Sequence, residues 1–317
     1  MPPEGAAWEA RRLHGGRGEG ESPLFQKSRT QTCYGRRLLG ELVLITGTSS
    51  GIGLSAAVEC AAAGHRVVAT MRDVDRRKPL EEAAAARAVS VHIERLDVTS
   101  EGVGAKIREL TLKYGPFFAV VNNAGIAVGG AFEEQSEAEI RDQFETNVHG
   151  LMAVTRAVLP SMRAAQRGRI INVSSVSGRV AFPLLSAYAA TKHAVEGFSE
   201  ALRWELEAFG VDVCLVEPGT FKTPIFSANL RRSAGSPRAE YKPLTDVVER
   251  LILEGADKAP APDPVGRAIA RLVSEDSPRF RTLVGMDART LVTLRRMVPD
   301  RLFASGVRRL MHLPRSR

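Results

Sequence analysis

Tyr188 and Lys192, four positions apart, are the side chains of this sequence with the most direct route to acid–base chemistry. We predict a helix over 186–209, and residues four apart on a helix project from the same face. An ammonium beside a phenol favours the phenolate, and each unit by which the phenol pKa falls corresponds to about 1.4 kcal/mol. The spacing therefore predicts that Tyr188 is a proton donor whose pKa Lys192 lowers. A solvated pair on a helix surface is the alternative for this spacing taken alone.

A glycine-rich turn follows the first apolar segment and reads TGTSSGIG over 46–53. Gly47, Gly51 and Gly53 allow a sharp turn and a close approach of the backbone to an anion. The turn opens a predicted helix, whose unpaired amides and dipole favour a pyrophosphate. The spacing is not G-x-G-x-x-G, and no lysine follows as in a phosphate-binding P-loop, which argues against a kinase or a GTPase.

Short apolar segments alternate with helical segments from residue 42 onwards. The predicted strands are LVLIT (42–46), RVVAT (66–70), VHIERL (91–96), FFAVVN (117–122), RIINVS (169–174), VDVCLVE (211–217) and TLVG (282–285). The first predicted helix ends at residue 63, and the others cover 77–87, 100–113, 136–166 and 186–209. This alternation predicts an α/β fold, a Rossmann-type doubly wound parallel sheet of about seven strands with helices on both faces.

Three segments do not follow this alternation of strands and helices: 1–40, 223–264 and 287–317. Residues 1–40 are rich in Gly, Arg and Glu, which predicts a disordered basic extension. Residues 41–286 form the predicted catalytic domain. Within it, 223–264 is interpreted as an irregular insertion, and a long insertion between core elements is typical of a lid over a substrate. Residues 287–317 are predicted to form a basic helical extension.

The net charge of +8 is concentrated at the two ends of the chain. Residues 1–40 carry +3 and residues 279–317 carry +8, whereas 41–278 carries −3. Because the body of the protein is mildly acidic, we do not expect nucleic-acid binding there. The basic and apolar C-terminal segment is expected to pack on the domain, with contact to a membrane surface as the alternative.

The cysteines Cys33, Cys60 and Cys214 are widely spaced and odd in number, so neither a disulfide framework nor a metal site is expected. His193 neighbours Lys192 on a different helical face, and Cys214 lies in an apolar strand; we assign neither a catalytic role. The longest apolar runs fall short of the roughly 20 residues that span a bilayer. With no apolar stretch typical of a secretory signal in the first forty residues, a cytoplasmic location is expected.

The glycine-rich turn, LDVT (96–99), NNAG (122–125), Asn147, the Ser/Tyr/Lys set and EPGTFKT (217–223) occur in this order along the chain. Together they resemble the short-chain dehydrogenase/reductase family in its single-domain branch, over about 41–286. The stretch from Pro278 to about Leu310 and the first two strands are most similar to its hydroxysteroid and retinol dehydrogenase group. The resemblance implies an oxidoreductase that acts on CH–OH donors with a nicotinamide cofactor.

The resemblance also implies roles for individual residues. Ser175 would hold the substrate carbonyl oxygen together with Tyr188, while Asn147 would position a water for proton resupply to Lys192. Tyr188 and Lys192 would also bind the cofactor, Lys192 at the nicotinamide ribose. The remaining cofactor-binding residues implied are Gly47, Ser49, Ser50, Gly51, Ile52, Gly53, Arg72, Asp97, Val98, Asn123, Ala124, Gly125, Pro218, Gly219 and Thr223.

NADP is expected rather than NAD, on the residues at the end of the second strand. There a dinucleotide fold that uses NAD places an acid for the ribose 2′-hydroxyl. By alignment to the family, Met71 occupies the acid's position, and Arg72 follows it to meet a 2′-phosphate, with Ser50 as a further donor. Asp73 would take the acid's place if the strand ran two residues longer, and would then favour NAD.

The expected function is NADP-dependent hydride transfer between nicotinamide and a carbonyl or secondary alcohol of a hydrophobic, steroid-, retinoid- or lipid-like substrate. A homo-oligomer, a dimer or a tetramer, is expected through the helices that contain Asn147 and Tyr188. The alternative is an NADP-binding regulator or scaffold without catalysis that acts through its basic ends. A nucleotide-sugar epimerase ranks last, because its family branch has a different glycine spacing.

Overall fold

The computed structural model describes residues 40–226, 230–233, 235 and 238–311. The predictions for residues 1–39 and for the last six residues lie outside the described residues. Nine strands are described, and in chain order they are β1 (Leu42–Thr46), β2 (Arg66–Met71), β3 (His92–Arg95), β4 (Ala119–Asn122), β5 (Ala127–Gly129), β6 (Gly168–Val173), β7 (Val211–Pro218), β8 (Leu230–Arg232) and β9 (Arg281–Val284).

Seven of these strands form one sheet in the order β3-β2-β1-β4-β6-β7-β9, and every neighbouring pair in it is parallel. The predicted α/β doubly wound sheet of about seven strands is therefore confirmed. The chain starts in the middle of the sheet and winds outwards to β3 on one side and to β9 on the other. This order places the reversal of winding between β1 and β4, where an open parallel sheet leaves a crevice at the carboxyl ends of its strands.

The helices described are α1 (Gly51–Ala62), α2 (Lys78–Ala86), α3 (Val103–Tyr114), α4 (Glu137–Phe144), α5 (Leu151–Ala165), α6 (Ser186–Leu206), α7 (Lys242–Lys258), α8 (Asp263–Ser274), α9 (Met286–Met297) and α10 (Asp300–Leu310). None of the helices in the described part of the chain combines the length and the apolarity that crossing a membrane requires.

The central strands have apolar side chains on both faces, and the two faces feed two separate cores. Val43 and Ile45 of β1 pack with α1 and α8, whereas Leu42 and Leu44 pack with α3, α5 and α6. All four side chains are buried. Strands buried on both faces read as continuous apolar runs, which is why LVLIT was recognisable in the sequence.

The single helix predicted over 136–166 is interrupted. A π-helical turn, Glu145–Gly150, separates α4 from α5. The turn carries Asn147, whose side chain is buried and bonded across to the segment after β4. Such π-helical turns occur frequently at functional sites.

The prediction that 223–264 is irregular is wrong for 242–258, which form α7. Pro243 lies in the first turn of this helix, where a missing backbone N–H costs no hydrogen bond. Upstream of α7, β8 pairs in parallel with β5 in a small second sheet. The insertion is thus built from ordered elements in its described part.

Candidate active site

A cavity of about 710 Å³ opens at the carboxyl ends of β1, β4, β6 and β7. Of the predicted site residues, it is lined by Gly47, Ser49, Ser50, Gly51, Ile52, Arg72, Asp97, Val98, Asn123, Ala124, Gly125, Ser175, Tyr188, Lys192, Pro218, Gly219 and Thr223. Gly53 and Asn147 do not line it. The residues implied by separate motifs thus meet in one crevice.

The glycine-rich turn needs glycine for two separate reasons. Gly47 (φ 71°) and Gly51 (φ 59°) lie in the left-handed region, which side chains disfavour. A Cβ on Gly53 would lie 2.2 Å from the carbonyl oxygen of Gly47 and 2.4 Å from Nδ2 of Asn123. Gly53 therefore serves the packing of the turn, not the cavity wall.

The turn leads directly into the N-terminus of α1, which faces the cavity. Ser50 is the residue before the helix, and its side chain makes no capping hydrogen bond. The first turn of α1 contains no acidic residue. Unpaired backbone N–H groups and the helix dipole favour an anion at this end, and no carboxylate competes for them. A glycine-rich turn beside amide donors fits the pyrophosphate of a dinucleotide.

Asn123 and Thr46 fasten the segment after β4 to the turn after β1. The Oγ1 of Thr46 accepts hydrogen bonds of 3.1 Å from the backbone N–H groups of Asn123 and Ala124. Nδ2 of Asn123 donates to the carbonyl oxygens of Thr46 (2.9 Å) and Gly47 (3.0 Å). These bonds fix the two walls of the crevice relative to each other.

Ser175 and Tyr188 both line the cavity, and the side chain of Ser175 lies near enough to the Tyr188 hydroxyl to act on its pKa. Ser175 follows β6, and its Oγ also accepts a 3.1 Å bond from the backbone N–H of Ser177. Tyr188 lies in the first turn of α6 and is buried. Two hydroxyl groups in contact at the cavity wall can both hydrogen-bond one oxygen atom of a bound molecule.

Lys192 lies one turn after Tyr188 on α6, with its Nζ 5.8 Å from the centre of the Tyr188 ring. Nζ donates a 2.9 Å hydrogen bond to the carbonyl oxygen of Val173, at the end of β6. Burial of the ammonium lowers the Lys192 pKa to about 8. The predicted helical spacing thus does bring the amine and the phenol together.

The predicted fall in the Tyr188 pKa is not found. Burial raises the pKa of Tyr188 to about 12, and the hydrogen bond from Ser175 opposes this rise only in part. The cause is desolvation of the phenolate, which penalises the charged form more than the neighbouring groups stabilise it. Tyr188 is therefore held in its protonated form, the form that a proton donor needs at neutral pH.

Asn147 occupies the π-helical turn behind the cavity. Its Oδ1 accepts a 2.8 Å hydrogen bond from the backbone N–H of Ile126, and its Nδ2 donates to the carbonyl oxygen of Ile126 (2.9 Å) and to Oγ1 of Thr191 (3.0 Å). Thr191 immediately precedes Lys192. Asn147 thus links the segment after β4 to the helix that carries the lysine.

The far end of the cavity is formed by the residues after β2 and β3. Strand β2 ends at Met71, which is buried, and Arg72 and Asp73 follow at the cavity wall. Oδ1 of Asp73 accepts a 3.0 Å hydrogen bond from the backbone N–H of Asp75 and caps the next turn. Asp97 does the same for the backbone N–H of Thr99 (3.0 Å) while it lines the cavity.

The loop after β7 closes the opposite end. Gly219 lies against the carboxylate of Asp287, where a Cβ would meet Oδ1 at 2.2 Å. Oδ2 of Asp287 accepts a 2.6 Å hydrogen bond from the backbone N–H of Thr220. Phe221, Thr223 and Ile225 continue the wall.

Sequence reasoning missed several residues of the cavity wall. Arg76 lies on the short turn after β2, beside Arg72, and the run RDVDRR was the signal that a second arginine could reach the same place. Ile126, Asp142 and Thr146 line the middle of the cavity. Of these, Ile126 follows NNAG directly and Thr146 precedes Asn147, whereas Asp142 adjoins no motif.

The cysteines and histidines in the described part of the chain do not line the cavity. Burial raises the pKa of the Cys60 and Cys214 thiols to about 12, which disfavours the reactive thiolate. Nδ1 of His149 pairs with Glu145, and Nδ1 of His193 lies 2.9 Å from the carbonyl oxygen of Ala189. In the part of the chain that the structure describes, no three His, Cys, Asp or Glu side chains are grouped to hold a metal ion. Cys33 lies outside the described residues.

Comparison with known proteins gives relatives that share most of this chain. An uncharacterised oxidoreductase, YusZ, of Bacillus subtilis is 39% identical, over 82% of this chain and 94% of its own length. A 3-ketodihydrosphingosine reductase of Bacteroides thetaiotaomicron is 37% identical, over 77% of this chain and 88% of the relative. Retinol dehydrogenase 8 of cattle (Bos taurus) is 33% identical, over 81% and 86%.

Two solved structures share the fold and contain a dinucleotide. A short-chain dehydrogenase/reductase from Burkholderia phymatum in complex with NAD is 25% identical with a TM-score of 0.72, and the match covers 81% of this chain and 93% of that chain. A metagenomic short-chain oxidoreductase in complex with NADP is 28% identical with a TM-score of 0.61, over 78% and 97%. The family model for short chain dehydrogenases matches residues 41–233. With the fold, the crevice and these matches in agreement, the chain belongs to the short-chain dehydrogenase/reductase family of oxidoreductases.

Proposed function

We propose that this protein is an NADP(H)-dependent oxidoreductase that interconverts a carbonyl and a secondary alcohol on an apolar substrate. The observation that carries the proposal is the neighbouring pair Ser175 and Tyr188, with Lys192 one helical turn away, at the wall of the cavity that the glycine-rich turn also lines. A module that only binds a dinucleotide has no physical need for these three groups. This is why we prefer catalysis to the regulator or scaffold.

The bound cofactor supplies or accepts the hydride, and the protein handles the oxygen and the proton. Ser175 and Tyr188 each donate a hydrogen bond to the substrate oxygen, which polarises the carbonyl and stabilises its developing negative charge. Tyr188 gives up its proton as the alcohol forms, and the Lys192 ammonium stabilises the phenolate left behind. Asn147 bonds to both Ile126 and Thr191, and so fixes the distance between the segment after β4 and the helical turn that carries Lys192. This contact supports its proposed role in proton resupply.

We propose NADP rather than NAD because of the groups after β2. Buried Met71 stands where an acid would bind the ribose 2′-hydroxyl, and Arg72 and Arg76 both line this end of the cavity. A guanidinium matches a phosphate in charge and in hydrogen-bond geometry. The carboxylate of Asp73 is engaged with the backbone of the turn that follows. Solved relatives carry either dinucleotide, so the local charge bears the argument.

The substrate is proposed to be apolar, because the wall beside the catalytic pair is apolar. Of the apolar side chains that pack with Tyr188, Ile225 lines the cavity. Phe221 is buried and faces the same cavity. Such a lining favours a hydrocarbon body with one polar group placed at the hydroxyl pair. The sphingoid and retinoid substrates in the names of two relatives belong to this chemical class.

The direct test is turnover of reduced cofactor with a panel of carbonyl compounds. We expect oxidation of NADPH, followed by its absorbance, with long-chain or polycyclic ketones and aldehydes, and little with small polar ones. Tight NADPH binding without turnover on any member of the panel, in either direction, would favour the regulator.

Two further parts of the proposal concern the oligomeric state of the protein and its location in the cell. We propose a homo-oligomer through α5 and α6, and the exposed ring of Trp204 on α6 offers apolar area for such a contact. Sedimentation of the wild type against Trp204→Ser tests it. We also propose a cytoplasmic location, with which the free buried thiols of Cys60 and Cys214 are compatible; fractionation of cells tests it.

A further inference from the structure

Helices α9 and α10 expose an unusual share of apolar surface. Eight large hydrophobic residues are exposed in the described part of the chain, and five of them lie on these two helices. We call them, together with the arginines of the same helices, the C-terminal face. Its apolar members are Met286 (73% exposed), Leu294 (47%), Met297 (77%), Leu302 (64%) and Leu310 (58%). Scattered apolar residues need no explanation on a protein surface, but such a concentration does.

The helix α10 uses only part of its apolar surface to pack on the domain. Val307 and Met311 pack on Leu184 and on Val248 of α7. Leu302 and Leu310 project outside this contact, and Arg301, Arg308 and Arg309 are exposed on the same helix. A helix with an apolar side next to an arginine-rich side is typical of elements that lie in a membrane interface.

The charge of the two helices is strongly positive. Residues 286–311 contain six arginines and two acids, Asp287 and Asp300. Both acids are already engaged, Asp287 with the backbone N–H of Thr220 and Asp300 with Arg295. The surface that remains combines protruding methionine and leucine side chains with cationic groups. An anionic lipid headgroup layer above a hydrocarbon interior complements both features at once.

The C-terminal face adjoins the cavity. Asp287, in the first turn of α9, touches Gly219 and binds Thr220, and Gly219 belongs to the cavity wall. Leu184, on which α10 packs, is followed directly by Leu185, which packs against Tyr188. A surface that docks through α9 and α10 therefore lies on the side of the molecule that holds the catalytic pair.

We propose that the C-terminal face docks on the surface of an anionic phospholipid bilayer, with its leucine and methionine side chains inserted among the acyl chains and its arginines at the headgroups. A second copy of the chain fits less well, because a two-fold contact would oppose the same cluster of arginines. Nucleic acid would use the arginines but leave the protruding apolar side chains without a partner. The docking does not depend on the proposed reaction and can be tested without it.

The test is binding of the full chain to vesicles, measured by flotation. The wild type is expected to float with vesicles that contain phosphatidylglycerol, to bind phosphatidylcholine vesicles far more weakly, and to lose binding as salt is raised. Neutralising Arg308 and Arg309 to Gln should weaken binding roughly thirtyfold, at about a fivefold effect per arginine near an anionic surface. Leu302→Ser with Leu310→Ser should weaken it roughly tenfold or more per leucine.

Matched controls separate this face from the rest of the surface. Leu112→Ser removes an apolar residue of α3 that is 89% exposed, and Arg108→Gln with Arg271→Gln removes two exposed charges elsewhere. These variants should bind vesicles as the wild type does. All substituted side chains are exposed, and an unchanged melting temperature checks that each variant folds.

Three results would overturn the proposal. Equal binding to neutral and anionic vesicles would remove the role of the arginines. Vesicle binding that survives in the leucine pair would assign it to another part of the chain. Self-association lost in the leucine pair, without vesicle binding by the wild type, would identify a second copy as the occupant.

Discussion

Nη1 of Arg281 donates a 2.9 Å hydrogen bond to Oε1 of Glu217, a carboxylate with no solvent exposure at the end of β7. Arg179, on the loop after Ser175, reaches the same oxygen at 3.1 Å. Arg281 also donates to the buried carboxylate of Glu196, one turn after Lys192 on α6. A single guanidinium from the edge strand β9 thus joins α6, the helix that carries Lys192, to β7, which leads into the cavity wall at Pro218 and Gly219.

We predict that Arg281→Met lowers the free energy of unfolding by about 3–5 kcal/mol, because it leaves buried carboxylates short of a counterion. Burial already raises the Glu217 pKa against the effect of Arg179. An acid with a raised folded pKa binds more protons when folded, so stability is lost as pH rises from its unfolded value. The loss should therefore be larger at mildly alkaline than at mildly acidic pH, as measured by denaturant unfolding. Arg271→Met, which removes an exposed helical pair with Glu275, should cost about 1 kcal/mol or less.

Catalysis should depend on the hydroxyl group of Tyr188 and not on its ring. We expect Tyr188→Phe to lower turnover about 10²-fold or more while NADPH affinity is largely kept, since the variant lacks only the proton donor. Turnover and cofactor titration measure the two quantities separately. Tyr114→Phe, whose hydroxyl bonds Glu94 outside the cavity, is the matched control and should turn over normally. Near-normal turnover of Tyr188→Phe would remove Tyr188 from the mechanism.

Cofactor choice should depend on Arg72. A charge-assisted contact is worth roughly 1.5–3 kcal/mol, so Arg72→Ala should weaken NADPH binding by some 10- to 100-fold and leave NADH almost unchanged. Arg77→Ala removes a neighbouring arginine that pairs with Glu81, and it should change neither affinity. Equal losses for both cofactors, or a wild type that prefers NADH, would contradict the assignment.

The buried ammonium of Lys192 should reduce stability at neutral pH. Its pKa falls from 10.5 to about 8 on burial. Between these values the unfolded chain binds more protons than the folded one, so stability rises with pH, by about 3 kcal/mol in total. Lys192→Met should lack this rise and should be more stable than the wild type near neutrality by about 2 kcal/mol, after loss of the bond to Val173. Lys78→Met, at an exposed site, serves as control; a destabilised Lys192→Met protein would refute the argument.

The segment 223–264 should close over a bulky apolar substrate. Tyr241 and Arg238 hold its described part to Glu133, and Ile225 reaches the cavity. The side chains of Phe226 and Leu230, two further apolar residues of this segment, lie outside the described residues. Steroid- or retinoid-like ligands with cofactor should slow proteolytic cleavage in this segment, while a small polar carbonyl compound should not. Unchanged cleavage with the best substrate would leave a surface insertion without a lid function.

The centre of the sheet was predictable from sequence because its strands are buried on both faces, and the runs around Leu44 and Cys214 are apolar without interruption. The helix α7 was not, because Pro243 and its proline-rich surroundings resemble a loop until their place in the first helical turn is known. The residues of the π-helical turn at Asn147 have no composition that distinguishes them from those of an ordinary α-helix. It depends on a tertiary contact, the bonds to Ile126, that no local pattern contains.

The cavity wall was predictable where motifs mark it, and the electrostatics were not. Spacing alone brought Tyr188 and Lys192 onto one helical face. The direction of the Tyr188 pKa shift depends on how much water the folded chain excludes, and burial is a property of packing. Arg76 was missed because only the turn capped by Asp73 brings it to the cavity wall that Arg72 also lines. That turn is a feature of the folded chain and not of the local sequence pattern.

The bonds between Thr46 and Asn123 join residues 77 positions apart in the chain. The glycine-rich turn is local, but the wall that completes it arrives only when β4 inserts beside β1. Closing a loop of that length costs entropy before any contact is gained. A nascent or refolding chain that has formed only β1, α1 and β2 therefore contains the glycine-rich turn but lacks the second wall of the dinucleotide site. The cofactor can therefore bind only once β4 has docked beside β1. The onset of cofactor binding during folding reports this step in the assembly of the sheet.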